Sequence, residues 1–190
     1  MQNEAGISGV EIIYNQLLIS SEASVNDHLL ATILASWVTG AGCLPQWLGL
    51  CEKNFTQMMA KHFPDYLYPL ISTEREIVSD DRDDERKEVL QLLLQHRAGK
   101  SETEVWIAAI VTTACQGQDH LWQDLGVWSR QDLSKLFSLN FPSLAAKNDK
   151  DMKWKKFIYK QLCITEGIYT CRAPSCEVCA DYDNCFGPEE

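Results

Sequence analysis

The chain has 190 residues, 45% of them hydrophobic, which is enough for one domain with a core of its own. Its net charge of -10 argues against broad binding to nucleic acid, because nucleic-acid-binding domains normally present a basic surface. No apolar run approaches the length of a membrane span and no signal-peptide pattern begins the chain, so we expect a cytoplasmic protein.

Apolar residues recur at helical spacing along most of the chain, with Gly and Pro in the short intervals and no alternating strand pattern. The sequence therefore predicts an all-α fold, a single helical domain of about seven helices. Their predicted bounds are 8–20, 26–39, 51–62, 83–97, 102–115, 129–139 and 150–165. The last helix has an apolar stripe formed by Trp154, Phe157, Ile158 and Leu162, which we expect to be buried.

Three parts are expected along the chain. Residues 1–25 form an N-terminal extension with the first helix, 26–166 the helical domain, and 167–190 a cysteine-rich loop packed on it. The acidic stretch 74–88 is predicted to be an exposed loop that runs into a helix N-terminus, where carboxylates suit the helix dipole.

A faint internal repeat relates residues 47–64 to residues 122–142. Each segment has a Leu-Gly pair followed by a predicted helix that ends in Phe-Pro, and the two Phe-Pro pairs are 78 residues apart. This pattern indicates two helix–loop–helix units packed by pseudo-symmetry, although Leu-Gly and Phe-Pro are also common at helix ends. The repeat places Cys43 and Cys115 at comparable positions, so their loops are expected to face each other or a metal centre.

The most informative feature is a cysteine motif in the last fifth of the chain, with the spacing C-x4-C-x2-C-x5-C. Its members are Cys171, Cys176, Cys179 and Cys185, and Cys163 precedes the first of them by eight residues. Four thiolates within fifteen residues can enclose one compact metal centre.

Three chemistries compete for this motif. Disulfide frameworks are typical of small secreted chains without a large core. This chain is long enough for a core and shows no secretory signal pattern. A structural zinc site usually combines two C-x2-C pairs, whereas only one is present. An iron–sulfur cluster of the [3Fe-4S] or [4Fe-4S] type fits a compact loop with uneven gaps best. The sequence favours the cluster and leaves the other two open.

The predicted helix before the motif carries lysines on the same side as Cys163. On a helical wheel, Lys156 and Lys160 share this side. Cationic neighbours lower the pKa of a thiol and favour the thiolate that binds metal. Together with Lys153 and Arg172, these lysines are predicted to attract an oxyanion or to dock an acidic partner. A solvated helix face with a half-buried cysteine is the alternative.

The four histidines have different expected roles. His28 and His62 lie at predicted helix ends and are expected to be structural. His96 lies near a helix C-terminus, where a cation suits the dipole. His120 is the best metal-ligand candidate because its loop also contains Cys115, and helix capping is its alternative role.

The C-terminal residues 151–157, 160–163, 171–179 and 185–188 closely resemble those of the NifQ family. Residues 119–126 are also similar to that family. The resemblance extends over most of the chain from about residue 30 onward.

The resemblance implies a molybdenum–iron–sulfur protein of nitrogen fixation. Such proteins are thought to take molybdenum from molybdate and supply it for assembly of the iron–molybdenum cofactor. Expected partners are therefore the nitrogenase cofactor-assembly scaffold and its iron-protein partner. The family's cysteine motif corresponds to Cys171, Cys176, Cys179 and Cys185 without a departure. The implied role is a metallochaperone rather than a conventional enzyme.

We expect three of the four motif cysteines to hold irons. The remaining one, or Cys163, Cys115 or His120, would then contact molybdenum, since a metal that is to be transferred should be held less completely than a structural one.

Two other functions are compatible with the motif. One is a zinc-stapled helical interaction domain. The other is an iron–sulfur DNA-repair glycosylase, whose cysteine gaps are six, two and five, but the chain lacks the Gly-x-Gly hairpin with catalytic Lys and Asp expected there. No nucleophile elbow or phosphate-binding Gly loop is found either.

Overall fold

The computed structural model describes residues 8–66, 83–165 and 182–189. These residues contain ten α-helices, one short 3-10 helix and no strand, so the predicted all-α class is confirmed. The helices are α1 (Gly9–Ile19), α2 (Asp27–Val38), the 3-10 helix (Gln46–Gly49), α3 (Glu52–His62), α4 (Asp83–Gln95), α5 (Thr103–Ala114), α6 (Leu121–Leu125), α7 (Arg130–Asn140), α8 (Pro142–Ala145), α9 (Trp154–Thr165) and α10 (Tyr182–Phe186). None of them is long and apolar enough to cross a bilayer.

All seven predicted helices are present, most with ends within one or two residues of those predicted. The exception is α9, which begins at Trp154 rather than at residue 150. The Asn148 side chain bonds both the N–H and the carbonyl of Met152 at 2.9 Å, and Asp151 has a φ of 51°. Because this turn occupies residues 148–152, α9 begins only after it, at Trp154. The four short helices were not predicted, because five residues or fewer show no periodicity.

Helix α4 begins at the end of the acidic stretch. Asp83, Asp84 and Glu85 occupy its first turn, which confirms the expected position of carboxylates at a helix N-terminus. The preceding acidic residues, up to residue 82, lie outside the described residues.

Two helices form the centre of the core. Helices α2 and α5 each have ten buried residues out of twelve, because other helices surround them. The predicted stripe of α9 packs on this core: Trp154, Phe157 and Ile158 are buried and Leu162 is partly buried. Trp154 stacks on Phe137 of α7, with ring centroids 3.9 Å apart.

The described residues agree with the internal repeat. Phe63 and Phe141 end α3 and α7 with nearly the same backbone angles, φ/ψ of -140°/57° and -134°/56°. Each donates its N–H to a carbonyl four residues earlier at 2.8 Å. The two units are therefore α2–α3 and α5–α7, each built on one of the central helices.

A buried polar contact joins the two units. His62 Nδ1 lies 2.6 Å from Asp27 Oδ1, and its Nε2 lies 2.8 Å from Thr103 Oγ1 at the start of α5. Asn26 and Asn140 exchange two hydrogen bonds of 2.9 Å nearby. Since His62 is 1% exposed and both ring nitrogens have partners, its expected structural role is confirmed.

The remaining helix-end histidines have local partners. His28 Nδ1 lies 2.9 Å from the Tyr14 hydroxyl, in agreement with a structural role. The pKa of His96 lies below its ordinary value, because the ring is partly buried and because Lys147 is close. The cationic role expected for His96 is therefore not favoured.

Candidate metal centre and adjoining cleft

A cleft of about 440 Å3 opens where the loop before α6, the start of α9 and the C-terminal segment meet. The residues that line it are Gln118, Asp119, His120, Leu121, Gln123, Lys153, Lys155, Lys156, Asn184 and Glu189. The structure thus brings together three of the predicted site residues, His120, Lys153 and Lys156, in one concave surface.

The C-terminal segment is held against the start of α9. The backbone N–H of Lys153 donates to the carbonyl of Cys185 at 2.8 Å, and the Lys153 ammonium donates to the carbonyl of Asp183 at 3.0 Å. Cys185 is partly buried and packs against the core. Asn184 lines the cleft, so this cysteine of the motif is placed at the edge of the lysine-lined surface.

The Lys155 side chain fixes the opposite wall of the cleft. Its ammonium donates to the carbonyls of Gly117 at 3.0 Å and Asp119 at 2.7 Å, and to the Asp124 carboxylate. The Lys155 and Asp124 side chains are 17% and 4% exposed, so the pair is largely removed from water. A buried ammonium of this kind is stable only when several acceptors replace its hydration.

Gly117 makes room for this ion pair. A Cβ at residue 117 would lie 2.3 Å from Asp124 Oδ1, which is far inside van der Waals contact. The glycine therefore lets the loop approach the buried carboxylate while its carbonyl reaches Lys155.

His120 stands at the start of α6 with its ring in the cleft. Its backbone N–H donates to Gln123 Oε1 at 3.2 Å, and its Nδ1 lies 3.7 Å from Glu189 Oε1. Glu189 Oε2 is 4.0 Å from Arg130 Nε. Residue 120 thus occupies the N-cap position of α6, which was the alternative role expected for it. Its imidazole also forms part of the cleft wall.

Cys43 and Cys115 lie close together in the chain's fold and do not line the cleft. Cys43 Sγ lies 3.8 Å from the carbonyl of Ala114, so the two loops face each other, which was one of the two expected arrangements. Burial raises the pKa of the Cys115 thiol to about 12, and the thiol is therefore neutral near pH 7. Cys115 is 3% exposed and does not line the cleft that contains His120.

Other predicted site residues lie elsewhere. Cys171, Cys176, Cys179 and Arg172 fall outside the described residues. Lys160 and Cys163 are partly exposed positions farther along α9 and do not line the cleft. In the described parts of the chain, no group of three His, Cys, Asp or Glu side chains is arranged to hold a metal ion.

The sequence reasoning missed the residues that shape the cleft. Lys155 is one of six lysines between residues 147 and 160, and only its position next to the apolar stripe of α9 distinguishes it from the others. Asp124 was part of the family-like segment but had no assigned role. Asn184 and Glu189 had no local signal, since their importance comes from contacts with α9 and the α6 loop.

Fold and site together define a small all-α protein with a cysteine-bearing C-terminal helix beside a lysine-lined cleft. The profile of the NifQ family matches residues 29–187, so the chain belongs to the NifQ family. The protein NifQ of Azotobacter vinelandii is 45% identical over 174 residues, 86% of this chain and 89% of the relative.

Two further relatives agree with this assignment. The NifQ homolog of Sinorhizobium fredii is 34% identical and the alignment covers 89% of this chain and 75% of the relative. The protein NifQ of Rhodobacter capsulatus is 33% identical, with 85% and 87% covered. No solved structure gives a significant match to the chain.

The role of Gly117 predicts a specific loss of stability. Gly117→Ala should lower the free energy of unfolding by about 1–3 kcal/mol, because the new methyl group displaces the Asp124 carboxylate from Lys155. Urea unfolding measures this change. Gly9→Ala is the matched control, since its Cβ meets no atom within 4 Å, and it should leave stability unchanged or slightly higher. Equal stability of both variants would show that Asp124 is not held in place.

The raised pKa of Cys115 predicts a pH dependence. The unfolded thiol ionises near its ordinary value of 9.0, whereas the folded thiol stays neutral to about pH 12. Its contribution to stability is therefore complete below pH 9 and is lost as the pH rises from 9.0 towards 12. Urea unfolding between these values, with a non-thiol reductant, should give a shallower pH slope for Cys115→Ala than for the original chain. Cys51→Ala, which removes an exposed thiol, should keep the original slope.

Proposed function

We propose that this chain is a molybdenum–iron–sulfur cluster carrier that acquires molybdenum and donates it for iron–molybdenum cofactor assembly in nitrogen fixation. Membership of the NifQ family and the four-cysteine motif support the proposal. The structural observation that carries it is the attachment of Cys185 to α9 at the edge of a cleft lined by lysines. We place the protein in the cytoplasm, because reducing conditions there keep cysteine thiolates available for binding metal.

The donor set suits an iron–sulfur cluster. Cys171, Cys176, Cys179 and Cys185 supply soft thiolates within one short segment, which is the ligand chemistry that such clusters require. Only Cys185 belongs to the described residues, and its backbone carbonyl accepts a hydrogen bond from the Lys153 N–H. When bound, the cluster would supply sulfide ligands for molybdenum, the metal that the protein would carry as cargo.

The geometry ranks the candidates for the additional molybdenum ligand. His120 shares the cleft with Asn184, the neighbour of Cys185 in the chain, and is the strongest candidate. Cys115 is the weakest, because it is buried as a neutral thiol outside the cleft. Cys163 stays a candidate by its position near the end of α9.

The proposal also assigns a docking surface for the partner. Lys156 and Lys160 lie on α9, Lys153 immediately precedes it, and Arg172 follows in the cysteine motif. On a chain with a net charge of -10, this local positive surface would orient the protein towards an acidic site on the cofactor-assembly scaffold or its iron-protein partner. As a carrier, the protein acts by delivery and is not a conventional enzyme.

Metal analysis tests the cluster. Protein purified without oxygen from cells supplied with molybdate should contain about three irons with sulfide and up to one molybdenum per chain. Cys176→Ala should lose iron, whereas His120→Ala should keep iron and lose most molybdenum. Cys51→Ala, which removes the exposed cysteine at the N-cap of α3, is the control and should keep both metals. One zinc without sulfide would refute the proposal, and loss of all metal from His120→Ala would refute the division of ligands.

Charge reversal tests the docking surface. Lys160→Glu should reduce the rate of molybdenum transfer several-fold at low salt, with a smaller difference at high salt, because screening weakens the encounter. Lys53→Glu changes the net charge equally at an exposed position on α3 and serves as the control. Equal transfer rates for the two variants would mean that α9 does not meet the partner.

A further inference from the structure

We infer that the cleft between α6, α9 and the C-terminal segment holds a tetrahedral oxyanion dianion at a site separate from the cysteine ligands. The inference rests on the proposed function, under which the dianion is molybdate. It adds the location of the anion, the residues that hold it and a definite selectivity.

The balance of charges in the cleft leaves two lysines for an anion. The Lys155 ammonium is neutralised by Asp124, and Glu189 faces His120 and Arg130. Lys153 donates to a carbonyl rather than to a carboxylate, so its charge is not cancelled by that contact. No described carboxylate lies within ion-pair distance of Lys156. Asp119 is the remaining acidic residue of the lining, and it is exposed to water, where its field is screened.

Neutral donors complement the two ammonium groups. Gln118, an exposed residue of the lining, has a side-chain amide that can donate hydrogen bonds. Gln123 accepts the His120 N–H through its carbonyl oxygen, which leaves its NH2 group as a donor. Helix α9, which has 12 residues, also begins at this cleft, and the positive end of its dipole favours an anion. Together these groups offer hydrogen bonds from several directions, as the four oxygens of a tetrahedral anion require.

The site lies beside the cysteine segment but does not use its sulfur atoms. Asn184 lines the cleft, and the next residue, Cys185, is attached through its carbonyl to Lys153. An anion in the cleft is thus held close to a motif cysteine before it contacts a thiolate. Ammonium and amide groups recognise charge and shape only, so sulfate and tungstate should compete with molybdate here. Discrimination between molybdenum and sulfur must then occur at the thiolates.

Equilibrium dialysis with molybdate tests the inference. The chain of 190 residues and its Cys176→Ala variant, which is expected to lose the cluster, are compared at low ionic strength. Both should bind about one molybdate per chain, with competition by sulfate and tungstate. Lys156→Gln should weaken binding at least about tenfold. Lys53→Gln is the matched control, because it removes the same charge from an exposed helical position outside the cleft, and it should change binding less than about twofold.

Each outcome supports or overturns the inference. Circular dichroism should first show that Lys156→Gln is folded, as expected for an exposed side chain. Equal losses in Lys156→Gln and Lys53→Gln would indicate general electrostatic attraction and overturn the site, as would the absence of saturable binding up to roughly 10 mM molybdate. Cluster content is measured separately. If the chain contains iron, sulfide and molybdenum but no anion binds in the cleft, the proposed function is supported and the anion site is refuted. If an anion binds in the cleft but no cluster is found, the anion site is supported and the proposed function is refuted.

Discussion

The buried ion pair between Lys155 and Asp124 is the constraint on which the rest of the site depends. One ammonium group joins α9 to the carboxylate of α6 and to two carbonyls of the loop that leads to His120. Removing one partner of a pair buried to this degree typically costs about 3–5 kcal/mol, because the other charge is left without compensation. The pair therefore sets where the imidazole lies relative to α9.

The same helix sets the position of the cysteine-bearing segment. Two residues before Lys155, Lys153 holds the carbonyls of Asp183 and Cys185 with its ammonium and its backbone N–H. Lys153 and Lys155, at the start of α9, thus attach the C-terminal segment and the His120 loop respectively. A cleft results between them, with candidate metal ligands from distant parts of the chain at its edges.

The two units differ in the segment that follows their central helix. In the first unit, the segment after α2 is a 3-10 helix in which Trp47 and Leu48 have positive φ values of 55° and 60°. In the second, the segment after α5 contains Gly117 and a short helix, α6, whose N-cap residue is His120. The loop of the second unit faces α9 and lines the cleft, while the contact of His62 with Asp27 and Thr103 holds the units together.

The sequence by itself determined the all-α class, the seven long helices, the buried stripe of α9 and the four-cysteine motif. These properties depend on residue types repeated over a few helical turns or spaced within one short segment, so they can be read locally. Only the tertiary structure decided that Lys155 is structural whereas Lys156 faces the cleft, and that Cys115 is buried away from His120. Lys155 and Asp124 are 31 residues apart, and nothing local to either predicts their contact. The physical reason is that a buried charge is defined by its partners, which the fold brings together from separate helices.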